Sequence, residues 1–337
     1  MKSVKEREWF FSQEKEPVKV ANPIPEYNIY RLKTTGQTIC DIEIASGLGK
    51  APVTIGATAD LHFNFCNMKD REDEELQYTE QCRLWLQYQK SLVSAVKALE
   101  AADFCDASII CGDILDYLSE GAIDLTKRHI IKKYPEIMMA LGGHDYTKQM
   151  QTKRPDKLPL EQRLDMLRSF WPHDIHYYSR RIGDSVLAVI MDNSQGKYLP
   201  GQAEKLKADM DIAREEGRVI LIFQHEPISL FDPKINTVPA VVENGGAAKI
   251  ANFGTMQELI GNSESDESTS LVLDLIKCGA DVIKGIVAGH WHSQFFGYIK
   301  AGYSGGNGDV IPCDIPQYII SGNPYFESGF VARITVK

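Results

Sequence analysis

Short apolar runs alternate along this chain with segments of helical periodicity, and this alternation constrains the fold more than any other feature. The apolar runs predict strands at residues 52–59, 107–111, 136–141, 185–191, 218–223 and 284–288. The periodic segments predict helices at residues 75–102, 120–132, 160–170, 201–215 and 268–278. Strands that are apolar along their whole length are buried on both faces. The sequence therefore predicts an α/β fold in which helices cover both faces of a sheet.

Acidic and histidine residues follow most of these strands directly. Because open α/β sheets hold their ligands at the carboxyl ends of strands, we expect these residues to meet in one site. Carboxylates mixed with imidazoles suit a pair of first-row transition metals, and two metals a few ångströms apart form a standard site for attacking phosphate esters with water. The motifs, in chain order, are Asp60-Leu-His62, Gly112-Asp113-Ile-Leu-Asp116, Gly142-Gly143-His144-Asp145, the single His225, and Gly289-His290-Trp-His292.

Composition narrows the compartment and the partners. The 337 residues carry a formal net charge of −9, so no general positive field attracts nucleic acid, although bound cations would make a site locally positive. The seven cysteines are scattered without a Cys-x-x-Cys pair, which is typical of reduced thiols. No apolar signal region is visible, and no stretch approaches the roughly 18 apolar residues of a membrane-spanning helix. We therefore expect a soluble cytoplasmic protein without membrane contacts.

Three regions fit the alternation less well. Residues 1–50 are expected to form an N-terminal extension, with a possible strand pair at 27–32 and 39–44, packed on a main domain of residues 51–337. Residues 228–267 contain proline, glycine and an acidic stretch, and they form a long insertion that is expected to be functional or mobile. After a glycine-rich segment at 300–312, further strands are predicted at 317–321 and 330–336.

The ordered set of motifs resembles the calcineurin-like metallophosphoesterase superfamily, whose pattern is Asp-x-His, Gly-Asp-x-x-Asp, Gly-Asn-His-Asp/Glu, His, and Gly-His-x-His. The resemblance runs from about residue 53 to residue 295. Each motif alone is weak, but all of them in order and after strands make a specific signal. The resemblance implies a four-layer α/β/β/α sandwich of two mixed sheets, with a metal site at the carboxyl ends of the strands.

The resemblance also implies the cofactors and the chemistry. Two ions of manganese, iron or zinc would be bound, and a hydroxide held between them would attack phosphorus in line. Aspartate can span two cations with its two oxygens, and neutral imidazoles suit these metals. By position in the motifs, the first metal would be bound by Asp60, His62 and His292, the second by His225 and His290, and both by Asp113.

Two further residues receive roles, and one position departs from the pattern. His144 resembles the imidazole that protonates the leaving group or binds phosphate, and Asp116 would orient it. Gly143 stands where the family has an asparagine that completes the shell of the second metal. We therefore expect the second metal to be held less tightly than the first, unless water, Asn64 or Asp145 replaces the missing ligand.

Three functions are compatible with these motifs. The leading one is a phosphomonoesterase or phosphodiesterase that acts on a small phosphorylated substrate. A manganese-dependent nuclease is the alternative, although the sequence has no basic track and residues 228–267 are rather acidic. A non-catalytic scaffold of the same fold is disfavoured by the retention of His144 and Asp116. Residues 63–75, 146–160 and 228–267 are the segments expected to surround the substrate, whose identity the fold does not determine.

Overall fold

Two large β-sheets form the centre of the molecule. The computed structural model describes residues 2–19, 23–83, 88–148, 156–229, 231–236, 266–292, 294–320, 322 and 329–337. Within these residues the chain forms two seven-stranded mixed sheets and a separate two-stranded hairpin. The α/β prediction is confirmed, and the near-continuous apolar strands are buried on both faces as expected.

The first sheet combines the N-terminal strands, the first three motif-bearing strands and the last strand of the chain. Its order is β1-β2-β3-β16-β4-β5-β6. Strands β4, β5 and β6 run parallel, so their carboxyl ends lie at one edge. Strand β16 is parallel to β3 and antiparallel to β4. The strands are β1 (Lys15–Pro17), β2 (Asn28–Leu32), β3 (Thr38–Ile44), β4 (Val53–Thr58), β5 (Ala107–Cys111), β6 (Met138–Ala140) and β16 (Phe330–Val336).

The second sheet carries the remaining motifs. Its order is β10-β12-β15-β11-β9-β8-β7, and β8, β9, β11 and β15 are parallel. Strands β13 (Gly302–Ser304) and β14 (Val310–Pro312) form the hairpin. The strands of the second sheet are β7 (Tyr177–Ile182), β8 (Val186–Met191), β9 (Val219–Phe223), β10 (Phe231–Asn236), β11 (Ile283–Ala288), β12 (Gln294–Ile299) and β15 (Ile315–Ile319).

The helices match the predicted segments with two exceptions, of which the first is a helix at Val4–Phe11, where none was predicted. A single helix was predicted over residues 75–102, but the structure has α2, which ends at the cap residue Arg83, and α3, with residues 84–87 outside the described residues. The guanidinium of Arg83 binds the buried carboxylate of Asp116. The helices are α1 (Val4–Phe11), α2 (Glu74–Cys82), α3 (Tyr88–Ala102), α4 (Glu120–Thr126), α5 (Leu160–Arg168), α6 (Gln202–Glu216) and α7 (Glu267–Cys278), and a π-helical turn (Lys127–Ile131) continues α4.

Three apolar cores define four layers. The central core lies between the sheets and joins residues such as Ile55 and Ile109 of the first sheet to Leu221 and Val287 of the second. A second core packs α3, α4 and α5 against the outer face of the first sheet. A third packs α6 and α7 against the outer face of the second sheet. Because burying one such aliphatic side chain stabilises a fold by about 1.5–3 kcal/mol, these cores hold the layers together. The expected α/β/β/α sandwich is confirmed.

The N-terminal and insertion regions are partly described. Strands β2 and β3 correspond to the predicted pair at 27–32 and 39–44, and β3 pairs with β16 inside the first sheet. In the insertion predicted at 228–267, residues 231–236 form β10 at the edge of the second sheet, and residues 237–265 lie outside the described residues. The proposed boundary at residue 50 stays a prediction. All seven cysteines are free thiols. Among the described helices, none has the length and apolar character needed to span a bilayer.

Candidate metal centre

The predicted motif residues meet at one edge of the sandwich, where parallel strands of both sheets end. Loops after β4, β5 and β6 come from the first sheet, and loops after β9 and β11 come from the second. The structure brings together all eight residues named from the sequence, in three overlapping groups of possible ligand atoms within 4.8 Å of one another. These groups are Asp60, His62, Asp113 and His292; Asp113, His225 and His290; and His62, Asp116 and His144.

In the first group, donor atoms from the two sheets face each other. The Nε2 atoms of His62 and His292 lie 3.0 Å apart, and Nε2 of His292 is 3.4 Å from Oδ1 of Asp60. Both Asp60 and His62 are fully buried. Oδ2 of Asp60 is also buried and has no hydrogen-bond partner within the described part of the chain. A buried carboxylate oxygen without a partner beside two imidazole nitrogens is the arrangement expected of a cation site.

The second group shares one residue with the first. Oδ2 of Asp113 is 3.2 Å from Nε2 of His225 and 3.9 Å from Nε2 of His62. Nδ1 of His290 lies 3.2 Å from Nε2 of His225. Nδ1 of His225 contacts the main-chain oxygen of Cys111 at 2.9 Å, so the other ring nitrogen faces Asp113. One carboxylate oxygen therefore lies between the two groups.

The donor set fits two transition-metal ions. Each group offers aspartate oxygens and imidazole nitrogens, which suit manganese, iron and zinc. The orphaned oxygen of Asp60 and the facing nitrogens of His62 and His292 support a cation in the first group. The second group has three residues, Asp113, His225 and His290, against four in the first.

The backbone at these residues has an unusual conformation. Among the described residues, the non-glycine positions with positive φ are Asp60, His62, Asp113, His290 and His292, with φ between 49° and 72°. Side chains disfavour this left-handed region, and such strain concentrates at functional sites. Nothing in the sequence signals it, because aspartate and histidine occur in ordinary loops as well.

Main-chain hydrogen bonds hold the motif loops against one another. The N–H groups of Asp60 and His62 donate to the carbonyls of Gly112 and Asp113, both at 3.0 Å. The N–H of His290 donates to Oδ1 of Asp60 at 3.1 Å, which joins the two sheets. Because these loops are fixed by backbone bonds, the side-chain donors are oriented before any ion binds.

His144 lies beside Asp113 with its two ring nitrogens in different surroundings. Nδ1 is 2.7 Å from the main-chain oxygen of Asp116, and Nε2 is 4.0 Å from Oδ2 of Asp113. The carboxylate of Asp116 is more distant, with Oδ1 3.5 Å from Nδ1. The carbonyl of Asp116 is thus the nearest acceptor for this ring, and the orienting role of the Asp116 carboxylate stays a prediction. Burial opposes the charge, but Asp113 and Asp116 raise the pKa of His144 above its ordinary value.

The electrostatics of the remaining imidazoles differ between positions. Burial lowers the pKa of His62 to about 4 and that of His290 to about 4, which keeps both rings neutral and able to bind a metal. Burial also disfavours a charged His225, but the Asp113 carboxylate outweighs it and raises the pKa of this ring to about 10. Burial disfavours ionised Asp113 as well, yet His225 and His144 hold its pKa well below the usual range. The charges of Asp113 and His225 thus stabilise each other.

The position of Gly143 leaves room for a side chain. A Cβ added there would contact only the main-chain oxygen of Ser194, at 3.5 Å. The two residues considered as replacements for the missing asparagine are engaged elsewhere. The amide of Asn64 donates to Oδ2 of Asp116 at 2.8 Å, and the carboxylate of Asp145 accepts main-chain N–H groups at 2.7 and 2.8 Å.

Sequence reasoning missed one polar residue at this site. Arg83 comes from the end of α2, outside all of the motifs, and its side chain is 10% exposed. Its Nε atom lies 2.9 Å from Oδ2 of Asp116. No local signal distinguishes it from a surface arginine on an amphipathic helix, so only the tertiary fold reveals the pair.

Comparison with known proteins agrees with this geometry. The profile of the calcineurin-like phosphoesterase family matches residues 53–294, which is most of the chain. The chain therefore belongs to the calcineurin-like phosphoesterases. It is a hydrolase of phosphoesters, and metal dependence is a property of the class. No curated protein sequence matches the chain.

Comparison with solved structures finds several distant similarities. A dimetal phosphatase from Danio rerio has 15% identity and a TM-score of 0.43, and the match covers 82% of this chain and 89% of that one. A purple acid phosphatase from yellow lupin (Lupinus luteus) has 11% identity and a TM-score of 0.47, with 88% of this chain and 49% of that one covered. The phosphopantetheinyl hydrolase of Mycobacterium tuberculosis has 11% identity and a TM-score of 0.35, with coverages of 81% and 90%. Similarities this distant say nothing about the substrate.

Proposed function

We propose that this protein hydrolyses a small phosphorylated substrate, either a monoester or a diester, at a two-metal centre. The observation that supports the proposal most directly is the position of Asp113. Its Oδ2 atom lies 3.2 Å from His225 and 3.9 Å from His62, so one carboxylate is shared by two groups of possible ligands. In this proposal Asp60, His62 and His292 hold the first ion, and His225 and His290 hold the second.

The metals would supply Lewis acidity and an acidified water, the properties that make two-metal sites effective on phosphate esters. The protein's own residues orient the substrate and move protons. The main-chain carbonyl of Asp116 accepts from Nδ1–H of His144, which leaves Nε2 directed at Asp113. Burial lowers the pKa of His144, but Asp113 and Asp116 raise it above its ordinary value. An imidazolium in this position can donate a proton from Nε2 to the departing oxygen of the ester.

We further propose that the two ions bind unequally. Gly143 provides no side-chain ligand, and Asn64 and Asp145 are engaged in other hydrogen bonds. The second group is therefore one protein donor short of the first. We propose manganese, iron or zinc as the metal, in keeping with the nitrogen and oxygen donors. We also propose that the protein is cytoplasmic and that nucleic acid is not its substrate.

The test is a phosphoester panel assayed with manganese, iron, zinc and nickel, on the wild type and on two variants. His144→Ala removes the proton donor, and turnover should fall by about 10²- to 10⁴-fold while metal binding is retained. Asp113→Asn removes the shared carboxylate, so both turnover and metal binding should fall. Circular dichroism confirms that the variants are folded.

A matched control comes from a histidine away from the motifs. His176 is half-buried, and its Nδ1 atom lies 2.7 Å from Oδ2 of Asp192. His176→Ala therefore removes a part-buried imidazole that is paired with a carboxylate, and it should leave turnover within about twofold. Wild-type turnover that persists in both His144→Ala and Asp113→Asn would contradict the proposed roles. Cleavage of single-stranded DNA with no turnover of small esters would favour the nuclease instead.

A further inference from the structure

A buried arginine–aspartate pair adjoins the candidate metal centre. Nε of Arg83 lies 3.1 Å from Oδ1 and 2.9 Å from Oδ2 of Asp116, and Nη2 makes a further close contact with Oδ1. The carboxylate of Asp116 is completely buried. Among the described residues, the cationic partner of this carboxylate is Arg83. A planar, two-nitrogen contact of this type fixes a carboxylate in orientation as well as in position.

The same carboxylate lies close to His62. Oδ1 of Asp116 is 3.1 Å from Nδ1 of His62, against 3.5 Å from Nδ1 of His144. The contact with His62 has the distance of a hydrogen bond without its full alignment. His144 already has the main-chain oxygen of Asp116 as its acceptor, at 2.7 Å. The carboxylate of Asp116 therefore lies closer to His62 than to His144.

The opposite nitrogen of His62 belongs to the first ligand group. Nε2 faces Nε2 of His292 at 3.0 Å. A carboxylate on the distal nitrogen of a metal-binding imidazole fixes its tautomer and ring orientation, and strengthens it as a ligand. A second contact steadies that carboxylate, since the amide of Asn64 donates to Oδ2 of Asp116 at 2.8 Å.

We propose that Arg83 is a positioning residue for the metal centre. It holds the Asp116 carboxylate against Nδ1 of His62, so that Nε2 of His62 points at the first ion. This inference rests on the two-metal function proposed above. The alternative is that Arg83 only terminates α2 and stabilises the fold, in which case its loss would change stability but not metal affinity.

Arg83→Lys separates these possibilities, because lysine keeps the charge but cannot make the two-nitrogen contact. Binding of Mn²⁺ alone to the metal-free protein is measured by titration calorimetry, and turnover is measured over a range of Mn²⁺ concentrations. The tighter Mn²⁺ equivalent should weaken by about 10- to 100-fold, as is typical when the partner behind a ligand is lost. Turnover should fall at low Mn²⁺ and recover as Mn²⁺ is raised.

Arg333→Lys is the matched control. Nε and Nη2 of Arg333 each lie 2.7 Å from a carboxylate oxygen of Asp41, and this part-buried pair joins β16 to β3 away from the motif loops. The control should lose stability without any change in Mn²⁺ affinity. If Arg83→Lys does not yield folded protein, Arg83→Gln is compared with Arg333→Gln, since both remove the charge as well as the two-nitrogen contact.

Two results would overturn the inference. One is wild-type Mn²⁺ affinity in the Arg83 variant. The other is a loss of turnover that Mn²⁺ does not restore, which would indicate contact with the substrate instead. Absence of any phosphoesterase activity in the wild type would refute the proposed function, yet the Mn²⁺ affinities would still decide whether Arg83 supports the metal site.

Discussion

The proposed ligand residues have a left-handed backbone conformation, and we predict that this conformation lowers the stability of the folded protein. His62 has φ of 49° and is fully buried. A side chain in this region costs about 1–2 kcal/mol, and glycine largely avoids that cost. We compare the free energies of unfolding of His62→Gly and His62→Ala in the metal-free protein. The glycine variant should be more stable, relative to the alanine variant, than it is at a position whose φ is negative.

His225 supplies such a position. It is 1% exposed, against 0% for His62, and is absent from the set of described residues with positive φ. Replacing alanine by glycine removes one buried methyl group and increases the freedom of the unfolded chain at both positions. These two contributions cancel when the glycine–alanine difference at His225 is subtracted from that at His62. The remainder should be about 1–2 kcal/mol in favour of glycine at His62.

Urea denaturation in the presence of EDTA measures the four free energies of unfolding under metal-free conditions. Agreement of the four denaturation slopes would show that the unfolded states are comparable. A remainder near zero, or one that favours alanine at His62, would refute the reasoning. The backbone conformation would then carry no energetic penalty at this site.

Two other substitutions test separate parts of the structure. Gly143→Asn should tighten the weaker of two Mn²⁺ equivalents in titration calorimetry, because a Cβ at this position meets only the oxygen of Ser194 at 3.5 Å; two equally tight equivalents in the wild type would contradict the unequal sites. Nε2 of His173 accepts the N–H of Met139 at 3.0 Å, and burial lowers the pKa of this ring. The unfolded chain therefore binds the proton first, so the free energy of unfolding should be highest above pH of about 6.5 and fall as the pH drops towards the folded pKa; in His173→Gln this fall should be smaller, and an unchanged pH profile would exclude the effect.

Local patterns in the sequence were sufficient for most of the strands and for the place of the site. Strands β5 and β9 are short apolar runs with polar residues immediately after them, so their limits and the motif positions follow from periodicity alone. Strand β7 was missed, because an edge strand that is only partly buried keeps two arginines and lacks a continuous apolar run. Strand β12, which contains Gly297, follows the last motif directly and gave no separate signal.

The arrangement inside the site depended on contacts distant in sequence. That Asp116 would lie near His144 was expected, but its carboxylate faces His62 and Arg83 more closely. Arg83 is separated from Asp116 by 33 positions, and a single sequence does not reveal such a pair. The end of α2 at its cap residue Arg83 likewise has no signal in the sequence.

The donors of the centre are divided between the two sheets, and this division links metal binding to the integrity of the whole chain. Asp60, His62 and Asp113 belong to the first sheet, and their closest imidazole partners belong to the second. Neither sheet alone carries all the donors of the first or of the second group. An ion held here would fasten the two sheets at the edge where the strands that carry the motifs end. Metal affinity would then report on the docking of the two sheets, and anything that separates them would release the ion before either sheet unfolds.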